Sequence, residues 1–140
     1  MSVAVVGFTL AAGEQRKLYR RAYRAQRIDQ SEVCGLLIGN CGGRLKLCFL
    51  LNRSKQAGHW QLRISDIRMI RKTIRLRKKR VVGTFHSHPI SEAVPGRGDV
   101  RGVPLNSLML IYDVCGRRSR LWRIVKSGRR REAKEVPLAI

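Results

Sequence analysis

The stretch GTFHSHPISEAVPGRGDV, residues 83 to 100, sets His86 and His88 one residue apart and places Asp99 eleven positions after the second. The chain has only three histidines and nine acids in 140 residues, so the grouping draws on a scarce stock. On a strand, side chains alternate between faces, so His86 and His88 point the same way and Ser87 points opposite. Two imidazoles and a carboxylate make a three-ligand set for zinc and leave a fourth position open, the pattern of a catalytic site and not of a closed structural one. The competing reading is a chance histidine pair on an exposed loop. Strand placement, the downstream Asp99 and the scarcity of histidine weigh against it. His59 has no comparable company and reads as a surface or packing residue.

Hydrolysis at such a centre also needs a base for the proton of a water. Glu32, in QSEVCGLLIG, stands at the entrance to a buried apolar strand. It is equally an ordinary strand-edge acid or a base whose pKa partial burial tunes.

The elements that must position these residues read as follows. VAVVGFTL is β-branched and extended, and AAGEQRKLYRRAYRAQRI has helical spacing, with Leu18, Ala22 and Ala25 inward. SEVCGLLIGN and RLKLCFLLN are two strands joined by an NCGG turn, and HWQLRI is a further short extended piece. Asp66 is expected to cap the helix IRMIRKTIRLRKKR, with Ile67, Ile70 and Ile74 buried. RVVGTFHSH is a strand running into Pro89, and both histidines stand at its end, where sites gather in α/β folds. A Gly- and Pro-rich loop carries Asp99 back, and SLMLIYDV and SRLWRIV form a last hairpin through CGRR. The order β, α, β, β, α, β, loop, β, β predicts one α/β domain over residues 1–140, with helices against a mixed sheet.

Thirty Lys and Arg oppose the nine acids, a formal charge of +21. Residues 66–80 and 117–131 each carry eight of these basic residues, so the charge is clustered. An acidic protein or a nucleic acid is the expected partner of the clusters at 68–80 and 117–131. No apolar run is long enough to span a membrane, and MSVAVVGFTLAA lacks the positive start of a signal peptide. The four cysteines form no C-x-x-C pair. Cys34, Cys48 and Cys115 sit in apolar stretches and read as buried free thiols of a reducing, cytoplasmic compartment.

EVCGLLIG, then GTFHSHP, then Asp99 at its spacing together resemble the JAMM (MPN-plus) metalloprotease family, from the first helix to LMLIYDV. Membership would imply a mixed, curved β-sheet flanked by helices, like that of cytidine deaminases. It would also imply a zinc-dependent isopeptidase or peptidase acting at the C-terminal tail of a ubiquitin-like protein. Carried over, His86, His88 and Asp99 would hold one zinc ion and Glu32 would be the base. The family has a serine three residues before the aspartate, and this chain has Gly96. The missing hydroxyl would cost rate, by roughly 100- to 1,000-fold for one oxyanion donor, unless Ser91 substitutes. Gly96 and the charge together support a second reading, an MPN-type module of weak or no activity that binds an acidic partner or nucleic acid.

Overall fold

Leu108–Asp113 is apolar at nearly every position, so the strand it forms has to be covered on both faces. The computed structural model describes residues 7–40, 42–56 and 58–140. In chain order the elements are β1 (Phe8–Leu10), α1 (Ala12–Asp29), β2 (Cys34–Gly39), β3 (Arg44–Leu50), α2 (Ile64–Arg75), β4 (Arg80–His88), α3 (Arg97–Arg101), β5 (Leu108–Asp113), β6 (Arg118–Ser127), β7 (Arg130–Val136) and β8 (Leu138–Ala139). The strands form one mixed sheet in the order β7-β6-β5-β4-β2-β3-β1-β8. β4 and β5 run parallel, as do β1 with β3 and β1 with β8, and the other pairs are antiparallel. The two outer strands are separated in sequence by Pro137 alone, so the sheet is curled until its edges meet.

The alternation along β5 divides the core. Leu108, Leu110 and Tyr112 join Leu18 and Ala22 of α1, with Leu37 and Phe85, on one face. Met109 and Ile111 join Trp122 and Ile124 on the other, beneath Ala93 and Val103 of the segment between β4 and β5. Burying such side chains contributes about 1.5–3 kcal/mol each before the entropy cost of ordering them. Phe85 faces α1, so Thr84, His86 and His88 face the opposite side. Midway along β4, a Cβ on Gly83 would lie 1.9 Å from the Leu108 carbonyl oxygen, so only glycine lets β4 and β5 approach there. β1 stops at Leu10, and the Leu47 N–H beyond it is taken instead by the Glu14 carboxylate of α1, at 3.0 Å.

Several expectations are corrected. HWQLRI forms no strand: residues 59–63 are loop and Ile64 already belongs to α2. The helix starts with Arg63 as N-cap, and Asp66 lies in its first turn, paired with Arg53 at 3.7 Å. It ends at Arg75 with Leu76 as C-cap, short of the expected Arg80, and Lys78 adopts φ 54, a left-handed conformation that an α-helix cannot continue through. Of the isoleucine stripe only Ile74 is fully buried, and Ile67 and Ile70 are half-buried, as is Ala25 on α1. The long loop contains α3, and β7 and β8 follow beyond the last expected strand, SRLWRIV. β7 is almost wholly exposed and charged, so it carries no alternating apolar signal. Cys34 is buried, but Cys115 is exposed, because it follows β5 into the hairpin turn. Val3–Val6 of the first expected strand, and Cys41, lie outside the described residues.

Candidate metal centre

Strand pairing brings the distant residues together. Cys34 of β2 is registered with His86 of β4, and two residues further out Glu32 comes opposite His88. The join is clamped by Ser87, whose hydroxyl accepts from the Val33 N–H at 2.9 Å while its own N–H donates to the Val33 carbonyl at 2.9 Å. Glu32, His86 and His88 therefore share one face of the sheet, the face opposite α1. Asp99 reaches them from α3, five residues long and begun by Gly96.

The nitrogens and oxygen converge tightly. His86 Nε2 and His88 Nε2 lie 3.1 Å apart. Asp99 Oδ2 is 3.2 Å from the first and 3.6 Å from the second. Ligands about 2.0–2.1 Å from a tetrahedral zinc stand roughly 3.3–3.4 Å from one another, so the three atoms have the spacing of one face of such a tetrahedron. His88 Nδ1 donates to the Glu92 carbonyl at 2.6 Å, the tautomer that turns the Nε2 lone pair toward the other two. His86 is 0% exposed, and its Nδ1 has no hydrogen-bond partner among the described residues. Glu32, His86 and His88 also form a buried group whose ligand atoms all lie within 4.8 Å of one another, able to hold a metal ion.

Electrostatics follows from this packing. Burial works against the Asp99 carboxylate, but hydrogen bonds from His86 and His88 and the Gly96 N–H outweigh it and hold Asp99 far below the usual carboxylate range. Burial dominates at His86 and lowers its pKa. At His88 burial is outweighed by Asp99, the Glu92 carbonyl and the Glu32 charge, and the pKa rises. Glu32 is 6% exposed, its Oε1 has no hydrogen-bond partner among the described residues, and burial pushes its pKa up to about 7.

Trp60 and Asn52 complete the site, and neither was singled out from the sequence. Trp60 stacks on His86, with ring centroids 5.0 Å apart, and donates its indole N–H to Asp99 Oδ1 at 3.0 Å. Asn52 donates to the carbonyls of Glu32 at 2.9 Å and His59 at 3.0 Å, and accepts from the Gln61 N–H at 3.1 Å. It thus ties the loop carrying Trp60 to the backbone of Glu32. The available signal was Trp60 itself, since a tryptophan in a polar loop needs both cover and an acceptor. His59 is exposed and lines the cleft into which Glu32 opens.

Gly96 lies at the N-cap of α3, and its N–H donates to Asp99 Oδ2 at 2.9 Å. Ser91 is exposed and lines the same cleft, a space of about 1350 Å³ between α2 and the segment after β4. Glu32, His88 and Asp99 open into this cleft, and Ile64, Ile90 and Val94 give it an apolar rim. No helix among the described residues is long and apolar enough to cross a membrane.

The family model for prokaryotic homologs of the JAB domain matches residues 15–125. No curated protein matches the sequence. Among solved structures, a protein of Desulfitobacterium hafniense is similar with a TM-score of 0.71 at 22% identity, over 94% of this chain and 92% of its own. A Salinibacter ruber protein gives 0.61 at 17% identity, over 95% and 92%. A JAB1/MPN domain protein from Archaeoglobus fulgidus gives 0.53 at 15% identity, over 97% and 100%. At these identities the likeness is one of fold.

Proposed function

The chain belongs to the prokaryotic JAB-domain family, and from that premise we propose that it is a zinc-dependent hydrolase cleaving a peptide or isopeptide bond at the C-terminal tail of a ubiquitin-like protein. The observation that carries this reading is the convergence of His86 Nε2, His88 Nε2 and Asp99 Oδ2 within 3.1–3.6 Å, with Glu32, whose Oε1 has no hydrogen-bond partner among the described residues, in the same cleft.

His86, His88 and Asp99 would hold the ion. Asp99 is preferred to Glu32 as third ligand because its Oδ2 already contacts both imidazoles. When bound, zinc supplies Lewis acidity: it polarises a carbonyl and acidifies a water. Glu32, its pKa raised to about 7 by burial, takes a proton from a water and returns one to the leaving amine. The Glu92 carbonyl holds the His88 tautomer, and Trp60 with the Gly96 N–H orients Asp99. The apolar rim excludes solvent from an extended tail.

Elemental analysis of the purified protein should find about one zinc per chain, lost in His86→Ala/His88→Ala. Glu32→Gln should retain zinc and lose cleavage of a ubiquitin-like fusion. Undiminished zinc in the double histidine variant would refute the site, and unchanged turnover in Glu32→Gln would refute the base. Gly96 favours a second reading, a metal-retaining binding module of weak activity. That reading prevails if zinc is held and no ubiquitin-like fusion is cut.

A further inference from the structure

Arg68, Arg71, Lys72 and Arg75 fall at i, i+3, i+4 and i+7 and share one face of α2. Lys79 and Arg80 extend it, and all six line a shallow concavity of about 490 Å³ together with Ile74 and Val81. Among the described residues none of the six has a carboxylate within ion-pair distance, and Asp66, the one acid of α2, is held by Arg53. Like charges three and four residues apart each cost a helix a few tenths of a kcal/mol, so this face is less stable than a mixed one and gains from an anionic partner.

The chemistry around the stripe selects the kind of partner. Met69 is 60% exposed and Leu76 90%, seven residues apart on the flank of the stripe. Arginine interleaved with exposed methionine and leucine is the composition of a protein interface. A nucleic acid would use the arginines, but α2 offers no aromatic ring for a base to stack on. The guanidinium forks match carboxylates. Position selects the role. Arg71, Arg80 and Val81 line both this concavity and the cleft that holds Glu32, His88 and Asp99, so the two are continuous.

We propose that the exposed face of α2, Arg68, Arg71, Lys72 and Arg75 with Met69 and Leu76, docks an acidic, partly apolar surface on the folded body of the protein whose tail enters the cleft. This rests on the hydrolase reading for what the tail undergoes, but the docking itself requires no metal. It makes acidity of the substrate body a selection rule, separate from recognition of the tail.

The test is fluorescence anisotropy with a labelled peptide of glutamates interspersed with leucines, against a single-stranded oligonucleotide of equal charge. Arg68→Ala/Lys72→Ala/Arg75→Ala, which leaves every cleft residue in place, should weaken peptide binding at least about tenfold. Alanine is the best helix former, so α2 should persist, and circular dichroism checks this. Arg16→Ala/Arg20→Ala/Arg24→Ala on α1 removes the same charge and should change affinity by less than about twofold. Met69→Ser/Leu76→Ser should weaken the peptide and leave the oligonucleotide unaffected. Equal losses in the two triple variants would overturn the proposal in favour of net charge alone. Tighter binding of the oligonucleotide, lost in the α2 variant, would overturn it in favour of a nucleic-acid surface. Peptide binding should survive in His86→Ala/His88→Ala, so an absence of hydrolysis with docking intact counts against the hydrolase reading and not against this surface.

Discussion

Replacing Gly96 with serine should add a hydroxyl to the cleft at almost no structural cost. Gly96 has φ −79 and ψ 169, an extended conformation open to any residue. A Cβ built there meets nothing closer than Asp99 Oδ2, at 3.6 Å, which is ordinary contact. The position is the N-cap of α3, where serine is among the preferred residues and exceeds glycine by a few tenths of a kcal/mol. Removing a glycine at a compatible site adds about 0.4–1 kcal/mol by restricting the unfolded chain. The sum, about 1 kcal/mol, raises the melting temperature by about 3 °C for a domain of this size. One oxyanion donor in an enclosed site is worth about 100- to 1,000-fold in rate. Position 96 is exposed, so the gain should be nearer tenfold. The assay pairs thermal melting with initial rates of cleavage of a ubiquitin-like fusion at fixed zinc. A variant that melts as expected but cuts no faster would refute the claim that the hydroxyl is what this chain lacks, and Ser91 or a backbone N–H would then supply the donor. A variant that melts lower would refute the backbone argument.

Trp60→Phe keeps the ring over His86 and removes the indole N–H from Asp99, and it should weaken zinc binding about 10- to 100-fold in chelator competition. An unchanged affinity would leave Trp60 a packing residue. In the metal-free protein, Glu32 binds its proton more tightly folded than unfolded, its pKa being raised from 4.5 to about 7. Its contribution is therefore full below the unfolded value and lost as the pH rises through about 7, so wild type should lose more stability over that window than Glu32→Gln, read by melting against pH. Parallel curves would show that Glu32 keeps its ordinary pKa. Burial, with the Glu32 charge beside it, pushes the Cys34 thiol up to about 12, while Cys115 is exposed, so iodoacetamide at about pH 8 should label Cys115 and spare Cys34 until the protein is denatured. Mass spectrometry of the native protein showing Cys34 labelled as fast as Cys115 would contradict the buried register of β2.

Residues 80–88 show how much was legible in the chain. RVVGTFHSH is a strand from end to end, and its two-residue period alone puts both histidines on one face. α1, β2, β3 and the β5–β6 hairpin were readable for the same local reason, an apolar pattern matching its own period. Charge clustering was readable too, because it is a count along the sequence. What local pattern does not contain is pairing. Glu32 meets His88 only because β2 takes its place beside β4 in one register, a choice made by the packing of Leu37 and Phe85 against α1. The Trp60 loop has no period, since its conformation comes from Asn52 reaching the Glu32 and His59 carbonyls and the Gln61 N–H. β7 is charged and almost wholly exposed, so it is held by its ladder to β6 and by no pattern of its own. The residue types at the centre were thus given by the chain, and the distances between them, 3.1 to 3.6 Å, were decided by the closure of the sheet and the return of α3 over it.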